Sequence, residues 1–527
     1  MTPFEQEINS RLTFAIISHP DAGKTTITEK LLLFSGAIHA AGAVKSKKNQ
    51  RGTTSDFMQL ERERGISIST SVMGFQHQGR NINLLDTPGH EDFSEDTYRT
   101  LSAVDSALMM IDGVKGVEEQ TRKLCEICSM RHTPIITFIN KMDREGKSPL
   151  DVLDEVEKEL SIYVCPISWP VGQGRDFKGV YDLLQKKLIF FDPHGMQNEH
   201  DQLIIKNLDN SLLDDRVGSH LANKLREEID MIQSVYPSFR KQDYLDGLVT
   251  PVLFGSALNN FGILELLNTL VKIAPPPHSH ETQQRVVLAN EDKFSGFIFK
   301  IHANLDPRHR DRIAFMRVCS GIFEKNKVYF HPRSGKNYRT NTPTAFMAQN
   351  RDTIDRAYPG DIIGLHDNGM FRIGDSLSEG ETLDFKGIPA FSPQIFRRVV
   401  NLDPLKNKQF NKGLNELSEE GIIQAFTMYL GKERLLGAVG NLQFDVTQYR
   451  MQHEYDANCR FETVEYQIAC WFSSEDKEAL EKFSSFYQNR IALDSKNNPV
   501  LLASSRWVLD RIIEEHPKVH FHFTSES

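Results

Sequence analysis

The first half of the chain alternates short, continuous apolar runs with stretches of helical periodicity. The runs contain few polar positions, which is typical of strands buried on both faces of a parallel sheet. Between them, Ile27, Leu31 and Phe34 share one helix face and Gly36 follows as a C-terminal cap, as expected for a crossover helix. The pattern predicts an α/β domain. Its predicted buried strands are residues 12–17, 83–85, 107–111, 135–139 and 252–254.

An edge strand is predicted over residues 66–75, where serines and a threonine are interspersed with apolar residues. Gln78, Gly79 and Arg80 then form a turn that leads back toward Asn83 as a hairpin. The sheet is therefore expected to begin with an antiparallel pair beside its parallel strands.

A long segment interrupts this domain between Asp143 and Val252. Its length of about a hundred residues exceeds what one crossover requires, so it predicts an inserted subdomain at roughly residues 175–247. Pro275, Pro276 and Pro277 cannot continue a helix, and we place the end of the first domain at this run. The first predicted domain is residues 1–277.

The second half of the chain has a different pattern. Short strands at 294–301, 312–320 and 327–330, among closely spaced glycines, predict a compact β-barrel over residues 278–393. Residues 394–527 are predicted to form a ferredoxin-like α+β domain, from an order of strand, helix, strand, strand, helix and strand. These elements are predicted at 398–401, 408–417, 422–428, 435–439, 441–453 and 459–464. No internal repeat is expected.

Charge and cysteine content limit the partners and the cellular location that are expected for this protein. The 527 residues include 62 basic and 71 acidic side chains, a formal charge of -9, so any contact with nucleic acid must come from local patches. Six scattered cysteines do not make a disulfide framework and favour a reducing compartment, with the cytoplasm as the predicted location. The polar N-terminus and the absence of any run of 18 apolar residues predict no signal peptide and no membrane partner.

A phosphate-binding loop is predicted directly after the first strand. Backbone N–H groups and a helix N-terminus in this loop would surround phosphate oxygens, Lys24 would reach the β and γ phosphates, and the Thr25 hydroxyl would ligate Mg²⁺. Ser18 replaces the first glycine of the usual pattern. The predicted loop residues are Ser18, His19, Pro20, Asp21, Ala22, Gly23, Lys24, Thr25 and Thr26.

A second motif follows the strand at 83–85. Asp86 can hold Mg²⁺ through water, and the amide of Gly89 can contact the γ phosphate. An ordinary strand-to-turn sequence is the alternative explanation for this motif taken alone. Its residues are Asp86, Thr87, Pro88, Gly89 and His90.

Two more loops predict a site for a guanine base. The carboxylate of Asp143 can accept hydrogen bonds from guanine N1–H and N2–H₂, whereas adenine would leave it unpaired. A backbone amide in the second loop could contact guanine O6. The residues are Asn140, Lys141, Met142 and Asp143 in the first loop, and Ser256, Ala257 and Leu258 in the second.

Four motifs in this order on four strand ends predict a P-loop GTPase domain that binds GTP or GDP with Mg²⁺. The residues resemble the translational GTPase superfamily, and the phosphate loop resembles that of elongation factor G more than those of small signalling GTPases. Arg64, Gly65, Ile66, Ser67 and Ile68 resemble the first-switch motif of that group. This resemblance implies that Ser67 ligates Mg²⁺ in the triphosphate state, with Thr53 and Thr54 as alternatives. It also implies that His90 orients the attacking water and that Asp21 helps bind a cation.

Further stretches resemble the family of bacterial peptide-chain release factor three. They are residues 92–100, 168–170, 306–317, 358–362 and 437–446. This resemblance implies a monomeric, ribosome-stimulated GTPase of translation termination, with catalytic residues His90 and Lys24. Its partners would be the ribosome and the class-one release factors, which it would eject after peptide release and so recycle.

Two other functions remain open. The first is an elongation-type or ribosome-protection GTPase, against which the chain lacks the two further domains by which elongation factor G imitates a transfer RNA. The second is a nucleotide-dependent ribosome-binding or assembly module that hardly hydrolyses GTP, against which His90 counts.

Basic side chains in two segments are candidate contacts for ribosomal RNA, with solvated surface loops as the alternative. They are Lys45, Lys47, Lys48 and Arg51, and Arg308, His309, Arg310 and Arg312. Cys125 and Cys128 have the spacing of a metal pair but lack a second pair of ligands, so we expect them to pack in a helix.

Overall fold

A mostly parallel β-sheet with helices on both faces forms the centre of the first half of the chain. The computed structural model describes residues 1–38, 60–61, 66–191, 204–205, 207–303, 312–347, 350–387 and 392–523. The first eleven strands are β1 (Arg11–Ser18), β2 (Ser71–His77), β3 (Arg80–Asp86), β4 (Ser106–Asp112), β5 (Ile135–Asn140), β6 (Tyr163–Pro166), β7 (Ser168–Val171), β8 (Gly179–Asp182), β9 (Lys187–Phe190), β10 (Ile204–Ile205) and β11 (Val249–Phe254).

Seven of these strands lie side by side in the order β2-β3-β1-β4-β5-β11-β6. All pairs are parallel except β2 with β3, which forms the predicted hairpin through Gln78 and Gly79, both with positive φ. Every residue of β1, β4 and β5 is buried, because helices cover both faces of the sheet. The continuous apolar runs are thereby explained.

The edge strand begins at Ser71, so the predicted start at residue 66 is wrong. Residues 68–70 donate their backbone N–H groups to carboxylates instead of to a neighbouring strand. The amides of Ile68 and Ser69 bond to Glu61, and that of Thr70 bonds to Asp96.

The helices of this half pack on the two faces of the sheet and around an inserted antiparallel sheet with the order β10-β9-β8-β7. That small sheet starts at Ser168, ahead of the predicted start of the insertion at 175. The helices are α1 (Pro3–Asn9), α2 (Lys24–Phe34), α3 (Ser94–Leu101), α4 (Glu119–Met130), α5 (Pro149–Leu160), α6 (Ser211–Val217), α7 (Ser219–Val235), α8 (Lys241–Leu245) and α9 (Ile263–Ile273).

A β-rich region follows the proline run, and its own apolar core contains Ile298, Met316 and Leu377. One parallel pairing, between Met347 and Gly74, connects its sheet to β2. Its strands are β12 (His280–Glu281), β13 (Val286–Val287), β14 (Ser295–Ala303), β15 (Arg312–Ser320), β16 (Phe323–Glu324), β17 (Val328–His331), β18 (Lys336–Arg339), β19 (Thr344–Met347), β20 (Asn350–Thr353), β21 (Arg356–Ala357), β22 (Ile362–His366) and β23 (Ser376–Ser378).

The last region contains the predicted ferredoxin-like order of elements and then the same order a second time. The first unit is β24 (Ile395–Asn401), α10 (Asn407–Glu419), β25 (Gln424–Met428), β26 (Arg434–Ala438), α11 (Asn441–His453) and β27 (Cys459–Thr463). The second is β28 (Ile468–Ser473), α12 (Lys477–Phe486), β29 (Ile491–Leu493), β30 (Pro499–Ala503), α13 (Arg506–Glu515) and β31 (His520–His522).

The two units share one eight-stranded sheet, joined where β25 pairs with β29. The expectation of no internal repeat is therefore wrong at the level of structure. In the second unit, β29 and β31 have three residues each, and α12 buries only Phe483. Such short strands and so narrow an apolar face give little periodicity for a sequence pattern to reveal.

Buried ion pairs join the regions. Arg317 of β15 donates to both carboxylate oxygens of Asp105, which precedes β4, at 2.9 and 2.7 Å. Arg450 of α11 bonds to Glu420 and to the carbonyl oxygen of Ala303 at the end of β14. Among the helices that the structure describes, none is both long and apolar enough to cross a membrane.

Candidate functional site

A cavity of about 850 Å³ lies beyond the carboxyl ends of the parallel strands, where ligands of open α/β sheets bind. Loops that follow β1, β3, β4, β5 and β11 line it. Residues from all four predicted motifs are brought together there: Ser18, His19, Pro20, Asp21, Gly23, Lys24, Thr25, Thr26, Gly89, His90, Asn140, Lys141, Asp143, Ser256, Ala257 and Leu258.

The phosphate loop joins the buried strand β1 to the first turn of α2. Gly23 caps that helix with φ +98°, a conformation that glycine adopts readily. A Cβ added at Gly23 would also clash with the side-chain Nδ2 of Asn140. The unpaired N–H groups of the first turn of α2 and the helix dipole therefore meet the cavity, as anion binding requires.

Asn140 holds two loops of the cavity together. Its Nδ2 donates to the carbonyl oxygen of Ala22 at 2.8 Å, and its Oδ1 accepts from the amide of Ala257 at 2.8 Å. The side chain is buried, so both bonds are shielded from water. Asn140 thus fixes the phosphate loop relative to the 256–258 loop.

Lys141 supports the same edge of the cavity. Its ammonium donates to the carbonyl oxygen of Asp21 at 2.6 Å and to Asp112 Oδ2 at 2.7 Å. Burial opposes ionisation of Asp112, but the bond and the charge of Lys141 together with backbone amides lower its pKa. Asp112 therefore stays ionised and anchors Lys141.

The carboxylate of Asp143, in the loop that follows β5, lines the cavity and is partly exposed. The amide of Met142 bonds to the carbonyl oxygen of Gly255, which ties this loop to the 256–258 loop. Ala257 is buried, whereas Leu258 is 66% exposed. The cavity thus offers both the apolar side chain of Leu258 and the hydrogen-bond acceptor of Asp143, a combination that suits a planar base with N–H donors.

Oxygen atoms suited to a magnesium ion lie at the phosphate end. Thr25 Oγ and Ser67 Oγ are 3.4 Å apart, and Lys24 Nζ lies 2.8 Å from Asp86 Oδ1 and 3.4 Å from Ser67 Oγ. Within the described residues, Asp86 Oδ2 is buried without a hydrogen-bond partner. Hydroxyl and carboxylate oxygens with one unsatisfied buried oxygen fit a hard cation such as Mg²⁺.

His90 stands where the cavity opens. Its ring is 39% exposed, its Nδ1 is 3.2 Å from the amide nitrogen of Asp92, and it meets Phe93 edge to face. Gly89 lies beside the phosphate loop, since a Cβ there would be 3.4 Å from the nitrogen of Pro20. The imidazole is thus oriented by its neighbours and free to meet a ligand or a partner.

Some predicted residues do not line the cavity. The Thr87 hydroxyl donates to the carbonyl oxygen of Ile16, Ala22 and Met142 pack in the apolar cores, and Pro88 accepts a bond from Thr97. The Asp86 carboxylate is buried and bonds to Lys24, which itself lines the cavity. The remaining predicted residues of the motif at 64–68, Arg64 and Gly65, and the alternatives Thr53 and Thr54 fall outside the described residues.

Two lining residues were not predicted from the sequence: Lys115 and Arg144. Lys115 follows the end of β4, and Arg144 follows Asp143 directly. Their position just after parallel strands was the signal available, because the carboxyl ends of neighbouring strands meet at one edge.

The predicted RNA contact at Arg312 is wrong. Its guanidinium is buried and bonds to Asp367, Glu419 and the carbonyl oxygen of Phe371, so it is not available to a phosphate. Arg308, His309 and Arg310 lie outside the described residues, as do Lys45, Lys47, Lys48 and Arg51.

The predicted packing role of Cys125 and Cys128 is confirmed. Both side chains lie in α4 and in the apolar core. Burial raises the pKa of the Cys125 thiol to about 11.

Comparison with known proteins decides the family. Residues 9–276 match the family described as Elongation factor Tu GTP binding domain. The chain belongs to this family. Residues 293–380 match Elongation factor G domain 2, and residues 385–513 match Class II release factor RF3, C-terminal domain. The chain is therefore a GTPase of protein synthesis that binds guanine nucleotide and hydrolyses GTP, and it carries a release-factor C-terminal domain.

The fold of this GTPase is shared with a crystal structure of a protein from Thermus thermophilus. The TM-score is 0.70 at 20% sequence identity, over 88% of this chain and 70% of that chain. The likeness extends over most of both chains and so includes the regions beyond the nucleotide site.

Proposed function

We propose that this GTPase acts in translation termination, where it promotes dissociation of class-one release factors from the ribosome after peptide release and so recycles them. The observation that carries the proposal is the union, in one chain, of an elongation-factor-type GTPase domain with the C-terminal domain of class II release factors. The action requires a nucleotide site and a route from that site to the C-terminal domain.

Within the cavity, we assign the phosphates to the loop from Ser18 to Thr26 and the base to Asp143 and the 256–258 loop. Lys24 lines the cavity and would turn from Asp86 to the β and γ phosphates, because an ammonium forms strong hydrogen bonds with phosphate oxygens. Asp143 would select guanine by accepting from N1–H and N2–H₂.

The magnesium site is assigned to Thr25, Ser67 and Asp86, whose oxygens fit the ion as described above. Bound there, Mg²⁺ would neutralise charge on the β and γ phosphates. Ser67 and Gly89 would distinguish GTP from GDP, because the γ phosphate would supply contacts to both residues that GDP lacks.

His90 is assigned to orienting the attacking water. Its ring lies next to Gly89 at the γ-phosphate end, and its exposure allows a ribosome to position it. We expect little hydrolysis before that contact, because a solvent-exposed ring held on one side only does not fix a water molecule.

A route from this site to the C-terminal region begins two residues after His90. Asp92 accepts a 2.7 Å hydrogen bond from the amide of Leu442, in the first turn of α11. Phe93 packs with Ile68 and with Val446 of the same helix. Movement of the segments that contain Ser67 and His90 would therefore be transmitted to α11.

The proposal is tested by the dissociation of a labelled class-one release factor from ribosomes after peptide release. We expect faster dissociation with this protein and GTP than with GDP, and no acceleration by the Lys24→Ala variant. An elongation-type function, which the match of residues 293–380 favours, predicts instead no effect on the release factor and accelerated translocation.

A further inference from the structure

Lys300 is a buried lysine of the β-rich region that faces the GTPase domain. Its side chain is only 4% exposed. A buried ammonium is costly unless charged or polar partners surround it, so its neighbours identify what it holds.

An irregularity in β14 explains how a lysine reaches this position. The register with β15 shifts between Ile298 and Lys300. Ile298 and Ile301 belong to the core of the β-rich region, whereas Phe297 and Phe299 belong to the core shared with the GTPase domain. The alternation therefore skips one position at this bulge, which turns Lys300 outward beside Phe299.

The Lys300 ammonium joins two segments that flank the nucleotide site. It donates to Ser69 Oγ and, at 2.9 Å, to Asp96 Oδ2. Asp96 also accepts from the amide and the hydroxyl of Thr70, at 2.7 and 2.8 Å. Burial opposes ionisation of Asp96, but Lys300 and the Thr70 bonds outweigh it and lower the pKa of Asp96.

These bonds fix the main chain directly after Ser67. Glu61 accepts from the amides of Ile68 and Ser69, at 2.8 and 3.2 Å, and Asp96 accepts from that of Thr70. The Ser67 hydroxyl lies 3.4 Å from Thr25 Oγ. This network of hydrogen bonds holds Ser67 at the phosphate end. Among the described contacts of Ser69 and Asp96, Lys300 is the one partner from outside the GTPase domain.

We propose that Lys300 is a positioning residue for the triphosphate state: it holds the 67–70 segment so that Ser67 reaches the metal site. This inference rests on the proposed role of Ser67. GTP uses Ser67 and GDP does not, so loss of the Lys300 contacts weakens binding of GTP alone. A purely structural role would weaken both nucleotides or lower the melting temperature without separating them.

The test compares the affinities of GDP and of a non-hydrolysable GTP analogue for the full chain without ribosomes. Lys300→Met is expected to weaken binding of the analogue about tenfold and leave GDP binding unchanged. Ser67→Ala should give the same separation, and the double variant should lose little more. Lys293→Met is the matched control, since Lys293 is also in the β-rich region but its side chain is 65% exposed.

The outcomes separate the two hypotheses. If Ser67→Ala weakens only the analogue but Lys300→Met does not, the role of Lys300 is refuted and that of Ser67 stands. If Ser67→Ala has no selective effect, the metal-site assignment fails and the inference with it. Should Lys300→Met not fold, Lys300→Met with Asp96→Asn removes both charges of the pair, and the same separation is expected.

Discussion

Asp92 and Leu442 lie 350 positions apart in the chain, yet the Leu442 amide donates to Asp92 Oδ2 at 2.7 Å. The carboxylate therefore caps the first turn of α11, where helix amides lack partners and a negative charge is favourable. Asp92 follows His90 by two residues. Beside the packing of Phe93 with Val446, this hydrogen bond joins the loop that contains His90 to the C-terminal region.

Removal of this cap should loosen the start of α11. Asp92→Ala is expected to destabilise the first turn of α11 by about 1 kcal/mol, because the cap is lost. Hydrogen exchange of backbone amides near Leu442 should become several-fold faster, while GDP affinity is unchanged. Gly440→Ala should act alike, because a Cβ at this position would clash with the Asp92 carboxylate. Exchange measured by mass spectrometry checks both variants, and unaltered exchange in both would mean that the cap is not significant in solution.

Replacement of His90 should separate hydrolysis from binding. In His90→Ala, ribosome-stimulated hydrolysis is expected to fall roughly 100-fold or more, as for loss of a residue that orients the attacking water or accepts its proton. Nucleotide affinity should change little, since the ring lines the cavity at its exposed edge and its contacts are with Asp92 and Phe93 rather than with the phosphate loop. Steady-state hydrolysis with and without ribosomes measures this, with His520→Ala as control. Undiminished stimulation would show that another residue positions the water.

The base preference should follow Asp143. Asp143→Asn replaces an acceptor by a group that can also donate, so guanine loses its partner and xanthine, with an oxygen at C2, gains one. We expect GDP binding to weaken about 100-fold and binding of xanthosine diphosphate to strengthen. Competition with a fluorescent nucleotide measures both, and Asp154→Asn, at an exposed position, is the control. Unchanged selectivity would move guanine recognition to another residue.

The ion pair of Asp105 with Arg317 should make stability depend on pH. Burial opposes ionisation of Asp105, but Arg317 and His278 lower its pKa from 3.8 to about 2. The stabilisation is therefore complete above about pH 3.8 and is lost as the pH falls toward 2, an effect of roughly 2 kcal/mol.

Asp105→Asn should lower the free energy of unfolding by about 3 kcal/mol at neutral pH, because it leaves Arg317 buried without its counter-charge. It should also flatten the pH dependence between pH 4 and 2. Denaturant unfolding at a series of pH values measures both effects beside the exposed control Asp246→Asn. Parallel pH profiles for Asp105→Asn and the unaltered chain would refute the assignment to this pair.

The buried strands and the nucleotide motifs could be predicted from the sequence because each depends on local pattern. Strands such as Ile135–Asn140 are apolar throughout, and each motif follows a strand end directly. The predicted edge strand starts too early because Ile68 and Thr70 are β-branched residues typical of strands. Their amides bond to the side chains of Glu61 and Asp96 instead of to a neighbouring strand. Such side-chain acceptors leave no periodic signal in the sequence.

Contacts between regions could not be predicted for the same reason. Nothing in the sequence around Lys300 shows that a bulge turns it outward. Likewise, nothing around Arg312 shows that its partners are Asp367 and Glu419, more than fifty residues further along the chain. The second ferredoxin-like unit was missed because strands of three residues fall below the length at which alternation is detectable.

The central claim is that GTP bound in the cavity drives the recycling of class-one release factors. It is tested most directly by multiple-turnover peptide release from stop-codon ribosomes with a limiting class-one factor, in the presence of this protein and GTP or of buffer. The account predicts faster turnover of the limiting factor, abolished by Lys24→Ala. Unchanged turnover, despite intact ribosome-stimulated GTP hydrolysis, would contradict the account and assign the protein to another step of translation.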